Sequence, residues 1–358
     1  MVPTATALAA VVNPASGGTR VSADQAGTSR FTPLTGPAIA ESGLSELSMG
    51  STTVLNMPSG FRFNTRSGSL NISGKDCDLR ARIKVTTTQA TMTVTQASSI
   101  SGCIVTFVGL EVQPTAGGGI TSGNITKTGT SSAPAGATNY GTLTKVPGAV
   151  AELVYLTQPS GTNNGGTPFG TQPRILARDQ FGNEVPRASV KLSITSGTGA
   201  KGAHLRCDTN PVRTDGSGIA DFAGDACRID KAGRYRLRAA SGHGARNSGT
   251  FSVVVGPASK LVFRGYPAST TRSTLSDQPS VAVADAGGNT VTSFPPTEIS
   301  IAINKHSSTF SCTGGLRATT VRGVARFRGC RQRTSGTGYR LTAVVGFAAT
   351  LGGAFRVR

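Results

Sequence analysis

Six cysteines are the residues best suited to chemistry in this 358-residue chain. They fall into three local pairs, Cys77 with Cys103, Cys207 with Cys227 and Cys312 with Cys330, at spacings of 26, 20 and 18 residues. A thiol-redox centre or a zinc ribbon needs cysteines two residues apart, and the sequence has no Cys-x-x-Cys. Single thiols that come two to a segment are instead the material of disulfides, which persist in oxidising compartments. Local pairing is expected, because each of the three segments proposed below holds two cysteines.

Catalytic constellations are scarce. The chain has three histidines, His204, His243 and His306, and no Gly-x-Ser-x-Gly elbow between a strand and a helix that could present a nucleophile to one of them. Asp76 and Asp78 flank Cys77, but strand alternation puts both on one exposed face and not across a cleft. Asp208, Asp215, Asp221, Asp225 and Asp230 cluster in sequence without the spacing of a calcium loop. Asp215-Gly216-Ser217-Gly218 is more simply a tight turn. No enzymatic activity, cofactor or metal is expected. The remaining chemistry is positive charge. Arg317, Arg322, Arg326, Arg328, Arg331 and Arg333 lie within 17 residues, and Arg326-Phe327-Arg328 alternates so that both arginines face solvent. With Arg317 and Arg322 on neighbouring loops, these six are expected to form one basic face. Guanidinium forks suit phosphate and carboxylate.

The elements that must position these residues repeat with a period near 105 residues. Glu152-Leu153-Val154-Tyr155 recurs as Lys260-Leu261-Val262-Phe263. Asp179-Gln180-Phe181-Gly182-Asn183 recurs as Asp285-Ala286-Gly287-Gly288-Asn289, and Gly218-Ile219-Ala220-Asp221-Phe222 as Gly323-Val324-Ala325-Arg326-Phe327. Cys207 and Cys227 recur as Cys312 and Cys330, Tyr235-Arg236-Leu237 as Tyr339-Arg340-Leu341, and Phe251-Ser252-Val253 as Phe355-Arg356-Val357. Most blocks alternate apolar with polar residues, as half-buried strands do. The Asp-x-x-Gly-Asn block is a turn, in which Asp accepts backbone N–H bonds and Gly supplies positive φ. About seven such strands in each repeat describe an antiparallel sandwich.

These blocks together resemble the bacterial immunoglobulin-like repeats of the invasin and intimin group, over about residues 148–358, in two copies. The resemblance implies spacer or adhesive sandwiches on secreted or cell-surface proteins, with no catalytic residues to carry over. The chain departs from invasins in showing no outer-membrane barrel and no lectin-like tip, and in giving each repeat its own cysteine pair. A receptor role is therefore not inherited.

The first 147 residues are also β. Ile83–Thr88 and Thr91–Thr95 alternate strictly, Cys103–Val108 is more apolar, and Val54–Pro58 leads through a turn into Gly60–Phe63. Residues 114–147, rich in Gly, Thr and Ser, are expected to hold edge strands at 125–127 and 143–146 joined by a flexible loop. The segment is similar to uncharacterised β-modules at the front of secreted bacterial proteins. Ala7-Leu8-Ala9 resembles the end of a secretory signal, so residues 1–9 are expected to be its remnant.

The fold expected is all-β, three tandem antiparallel β-sandwich domains over 10–147, 148–256 and 257–358, the last two immunoglobulin-like. No apolar run is long enough for a transmembrane helix. The net charge is +19, and residues 257–358 carry 13 basic against 3 acidic groups. Such a surface attracts polyanions. With few aromatics outside core positions, specific nucleic-acid binding is not expected, and an acidic envelope polymer or glycan is the expected partner class. The function expected is that of a secreted or cell-surface structural or adhesive protein, a stalk or layer unit. The alternatives are a binding module for carbohydrate or acidic envelope polymer, or the accessory region of a larger secreted enzyme. Self-association, or a longer parent chain, would fit the first reading.

Overall fold

The computed structural model describes residues 10–358 except 44–45, 101, 160–161, 268 and 273, so the expected signal remnant at 1–9 lies outside the described residues. The chain divides into two compact units. One runs to Glu152 and takes in Arg178–Val185; the other comprises Leu153–Ala177 and Pro186–Arg358.

In the first unit, two larger sheets and a short three-stranded one, ordered Ser122–Asn124, Thr142–Val146, Val21–Ser22, enclose one core. Thr32–Ala40 and Ile104–Pro114 lie at the centre of the first, flanked by Val11–Asn13, Phe61–Phe63 and Ser69–Ser73. The second has the order Thr126–Thr128, Thr52–Asn56, Gln89–Gln96, Arg80–Val85. Alternation decides which side chains enter. Thr53, Leu55, Met92 and Val94 turn inward from one sheet, and Val105, Phe107, Leu110 and Val112 from the other. Cys77 and Cys103 are bonded beside this core.

Residues 129–141 differ from the flexible loop expected. Lys127, 4% exposed, donates through Nζ to the carbonyls of Ser131 and Ala133. The fully buried Tyr140 donates its hydroxyl to Pro134 O at 2.6 Å. A Gly/Thr/Ser-rich composition reads as loose, but two long side chains that find carbonyl partners pin the loop from inside.

The second unit holds the second repeat and, apart from Gly148–Glu152 and Arg178–Val185, the first, and both repeats build the same sheets. In the first repeat Glu152–Thr157, Arg174–Arg178 and Ile219–Asp221 make one sheet. Val212–Arg213, Ser189–Ile194, Leu237–Ser241 and Gly244–Asn247 make the facing one. The second repeat matches strand for strand, with Lys260–Gly265, Ser280–Ala284 and Val324–Arg326 opposite Arg317–Thr319, Glu298–Ile303, Leu341–Val345 and Ala348–Leu351. In each, a two-stranded ribbon, its halves separated in sequence by one strand of each facing sheet, is tied by the disulfide: Leu205–Arg206 with Arg228–Ile229, joined by Cys207–Cys227, and Phe310–Ser311 with Arg331–Gln332, joined by Cys312–Cys330.

A parallel pair closes every module. Thr162–Asn164 runs parallel to Phe251–Val254, and Ser269–Thr270 to Phe355–Val357. In the first unit Val21–Ser22 runs parallel to Thr142–Val146. A tyrosine fixes each corner before a late strand. Tyr235 OH donates to Lys231 O at 2.7 Å, and Tyr339 OH to Thr334 O at 3.0 Å. A first, second and fifth strand facing a four-stranded sheet, with a buried tyrosine returning to the backbone just upstream, is the immunoglobulin arrangement. Both repeats are immunoglobulin-like sandwiches.

Candidate functional site

The Asp-x-x-Gly-Asn turns do more than reverse the chain. In the second repeat Asp285 is fully buried, and a buried carboxylate is costly unless donors surround it. It has them: Oδ1 accepts Asn289 N at 2.8 Å, Oδ2 accepts Gly256 N at 2.9 Å, and Asn289 Nδ2 lies 3.1 and 3.0 Å from the two oxygens. Gly288 supplies the positive φ, +90°, that the turn requires. The Asn289 amide then reaches the first repeat. Nδ2 donates to Asp230 O at 2.8 Å, and Oδ1 accepts Ala232 N at 3.0 Å. Gly287 N adds a bond to Gly165 O at 2.9 Å. The contact is backbone on backbone, and a Cβ at Gly287 would run into Asp230 O.

The matching turn of the first repeat makes the same bonds within the first unit. Asp179 Oδ2 accepts Gly148 N at 2.9 Å and Asn183 Nδ2 at 2.8 Å, while Oδ1 accepts the N–H groups of Phe181 and Asn183. Asn183 Nδ2 also reaches Gly117 O at 2.9 Å, and the Phe181 ring covers Gly117 where a Cβ would otherwise stand. Burial pushes the Asp179 pKa up, but the Asn183 amide and the N–H groups of Gly148, Asn183 and Phe181 outweigh it, and the net shift is downward. Lys145, 2% exposed, holds the covered loop through Ala116 O and Gly118 O. Gly148 and Gly256 occupy equivalent places before each repeat, so one device recurs: an Asp receives the junction glycine, and an Asn amide grips the preceding segment.

The six arginines singled out in sequence are all exposed, but they do not form one face. Arg317 is on a strand, not a loop, in the four-stranded sheet, where its guanidinium pairs with Glu298 at 2.7 Å. Arg326 is on the facing sheet opposite Ser280, so the two look out from opposite sides of the sandwich. Arg328 follows on the outer side of the buried Phe327. Arg331 and Arg333 flank the buried Gln332 by the disulfide-tied ribbon, and Arg322 sits in a turn with φ +51°. Charge density along the chain could not show this division, which follows from consecutive strands switching sheets.

The other candidates have local structural roles. Asp215 Oδ1 accepts Ser217 N and Ile219 N, the bonds of a tight turn. Asp78 accepts from Ser98 and Ser99, and these bonds lower its pKa. The backbone N–H of His204 donates to Asp230 Oδ1 at 2.7 Å, and His306 caps a short 3-10 turn. The tyrosine corners, whose only trace in the sequence is a tyrosine two residues after Gly233 and three after Gly336, were not singled out as sites.

No family model matches the sequence, and no curated protein matches it. Among solved structures the chain is similar to FdeC, a broadly conserved Escherichia coli adhesin, at 15% identity and TM-score 0.31, covering 97% of this chain and 99% of that one. It is similar to invasin, a bacterial integrin-binding protein, at 11% identity and TM-score 0.28, over 98% of this chain and 60% of that one. Similarity to the D0–D1 domains of intimin is at 15% identity and TM-score 0.23, over 58% of this chain and 98% of that one. The assignment of the immunoglobulin-like fold rests on strand order and the buried tyrosines described above.

Proposed function

We propose that the protein is a secreted or cell-surface structural or adhesive protein whose modules transmit tension. The observation that carries this reading is the parallel pairing of an early strand with the last strand in every module. Pulling the two ends of such a module apart drags these strands in opposite directions along a common axis. The ladder bonds between them are then loaded together in shear and not opened one at a time. The disulfides support an oxidising, extracytoplasmic setting.

Single-molecule stretching of the full chain from its termini tests the reading. Discrete rupture events are expected, and reduction should lengthen them by the 26, 20 and 18 residues that the disulfides enclose. Smooth extension without rupture would overturn it. A second reading, adhesion to an acidic envelope polymer through residues 317–333, draws support from Arg326, Arg328, Arg331 and Arg333, which are exposed and form no ion pair among the described residues.

A further inference from the structure

We propose that the junction of the two repeats is a binding groove for an acidic polysaccharide. Two adjoining clefts of about 310 and 540 Å³ share Lys260 and Gly287 in their walls. His204, Arg206 and Arg228 line the first, and Lys231 and Arg264 the second. Their volumes lie in the range of ligand sites, ~300–1,000 Å³. The groove shares no lining residue with the arginines of 317–333 and does not depend on the tension-bearing reading.

Four of the five Lys and Arg side chains in this groove are not compensated by a carboxylate among the described residues. Arg206, Lys231, Lys260 and Arg264 form no ion pair among the described residues. Lys260 Nζ donates to Ala286 O at 2.6 Å, Lys231 Nζ to Lys201 O at 2.8 Å, and Arg264 Nη2 to Gly288 O and Thr290 Oγ1. These bonds hold the cations in place without neutralising them. Arg206 and Arg228 stand directly opposite each other on the disulfide-tied ribbon. Like charges in that position destabilise a strand pair. Arg228 is eased by Asp208 at 3.5 Å, whereas the Arg206 guanidinium has no partner among the described residues. The second repeat has Ser311 opposite Arg331 at the same place, so the ribbon does not require the arginine pair. An anion bridging Arg206, Arg228 and Lys260 would relieve the repulsion.

The lining also favours one class of anion. The single carboxylate in the walls, Asp230, accepts the His204 N–H through Oδ1 and leaves Oδ2 to receive a hydroxyl. No Phe, Tyr or Trp side chain lines either cleft, so apart from the His204 imidazole nucleic-acid bases would have no ring to stack on. Carboxylate or sulfate groups on a hydroxyl-rich chain meet both features.

The test is titration of the full chain with a heparin octasaccharide, an oligogalacturonate of the same length, and an oligothymidylate. At least one acidic oligosaccharide should bind, more weakly as salt rises, with amide shifts at 204–206, 228–231 and 286–290. The double variant Arg206→Ser with Lys260→Ser should lose about ten-fold or more in affinity, as removal of charge-assisted bonds requires. If that variant does not fold, Lys231→Ser with Arg264→Ser replaces it, and the amide shifts of the unaltered protein stand as a separate readout. Sulfated and carboxylated probes separate the two sources of anion. No binding of either, shifts confined to 317–333, unchanged affinity in a folded variant, or tighter binding of the oligothymidylate would overturn the proposal.

Discussion

Three tyrosine hydroxyls hold corners of the backbone, and their aromatic rings fill the cores. Tyr339 is 1% exposed and its hydroxyl meets Thr334 O, so Tyr339→Phe removes the donor and leaves a partly buried carbonyl unsatisfied. A loss of about 1–3 kcal/mol in denaturant unfolding is expected, with the repeat still folded. Burial of other tyrosines sets a limit at high pH. Burial raises the pKa of Tyr140 to about 12, and it raises those of Tyr155 and Tyr235. Folded tyrosines that bind the proton more tightly than unfolded ones contribute stability that is full below pH ~10. That contribution is lost as pH rises through the folded pKa values. Denaturant midpoints should therefore fall between pH 10 and about 12. Midpoints that stay level across that window would mean the hydroxyls ionise without unfolding cost.

Strands and short ribbons carry the next layer of stability. Leu237 and Ala239 face inward and Arg238 outward, so the hydrophobic pattern fixes the register of Leu237–Ser241 against Ser189–Ile194. The disulfide-tied ribbons are different, since each pairs only two residues a side. Pairs that short do not persist without a crosslink. Replacing Cys207 and Cys227 together with Ser should cost about 2–4 kcal/mol, chiefly by freeing the unfolded chain. It should also raise amide exchange at Leu205–Arg206 and Arg228–Ile229 ahead of the sheets, as mass-spectrometric exchange would show. Uniform exchange across the repeat would indicate that the ribbon is held by packing instead.

For the molecule as a whole, the junction within the second unit is the decisive feature. Asn289→Ala would leave Asp230 O and Ala232 N without their partners and remove a donor from the buried Asp285. The expected result is faster proteolytic cutting at 254–259 with little change in the unfolding midpoint of either repeat, because the lost bonds cross the junction and not the cores. Equal cutting rates in the two proteins would show that the Gly287 to Gly165 bond and backbone contact suffice.

How far such features can be read from the chain depends on the distance over which they are set. Alternation in Val190-Lys191-Leu192 and turn chemistry in Asp285-Ala286-Gly287-Gly288-Asn289 are local, so all-β structure, the repeat and the turns are legible in the residues themselves. Local cysteine pairs follow from the same repeat. The carbonyl that Asn289 grips lies 59 residues away, and the strand that puts Arg228 opposite Arg206 returns after a disulfide loop. Arg317 and Arg326 lie nine positions apart in sequence yet on opposite sheets. The sequence by itself determined the strands, their period and the kind of turn between them. The tertiary structure alone decided which turns became junctions and which charges became neighbours, because those depend on how loops from separate strands meet when the sheets close over their cores.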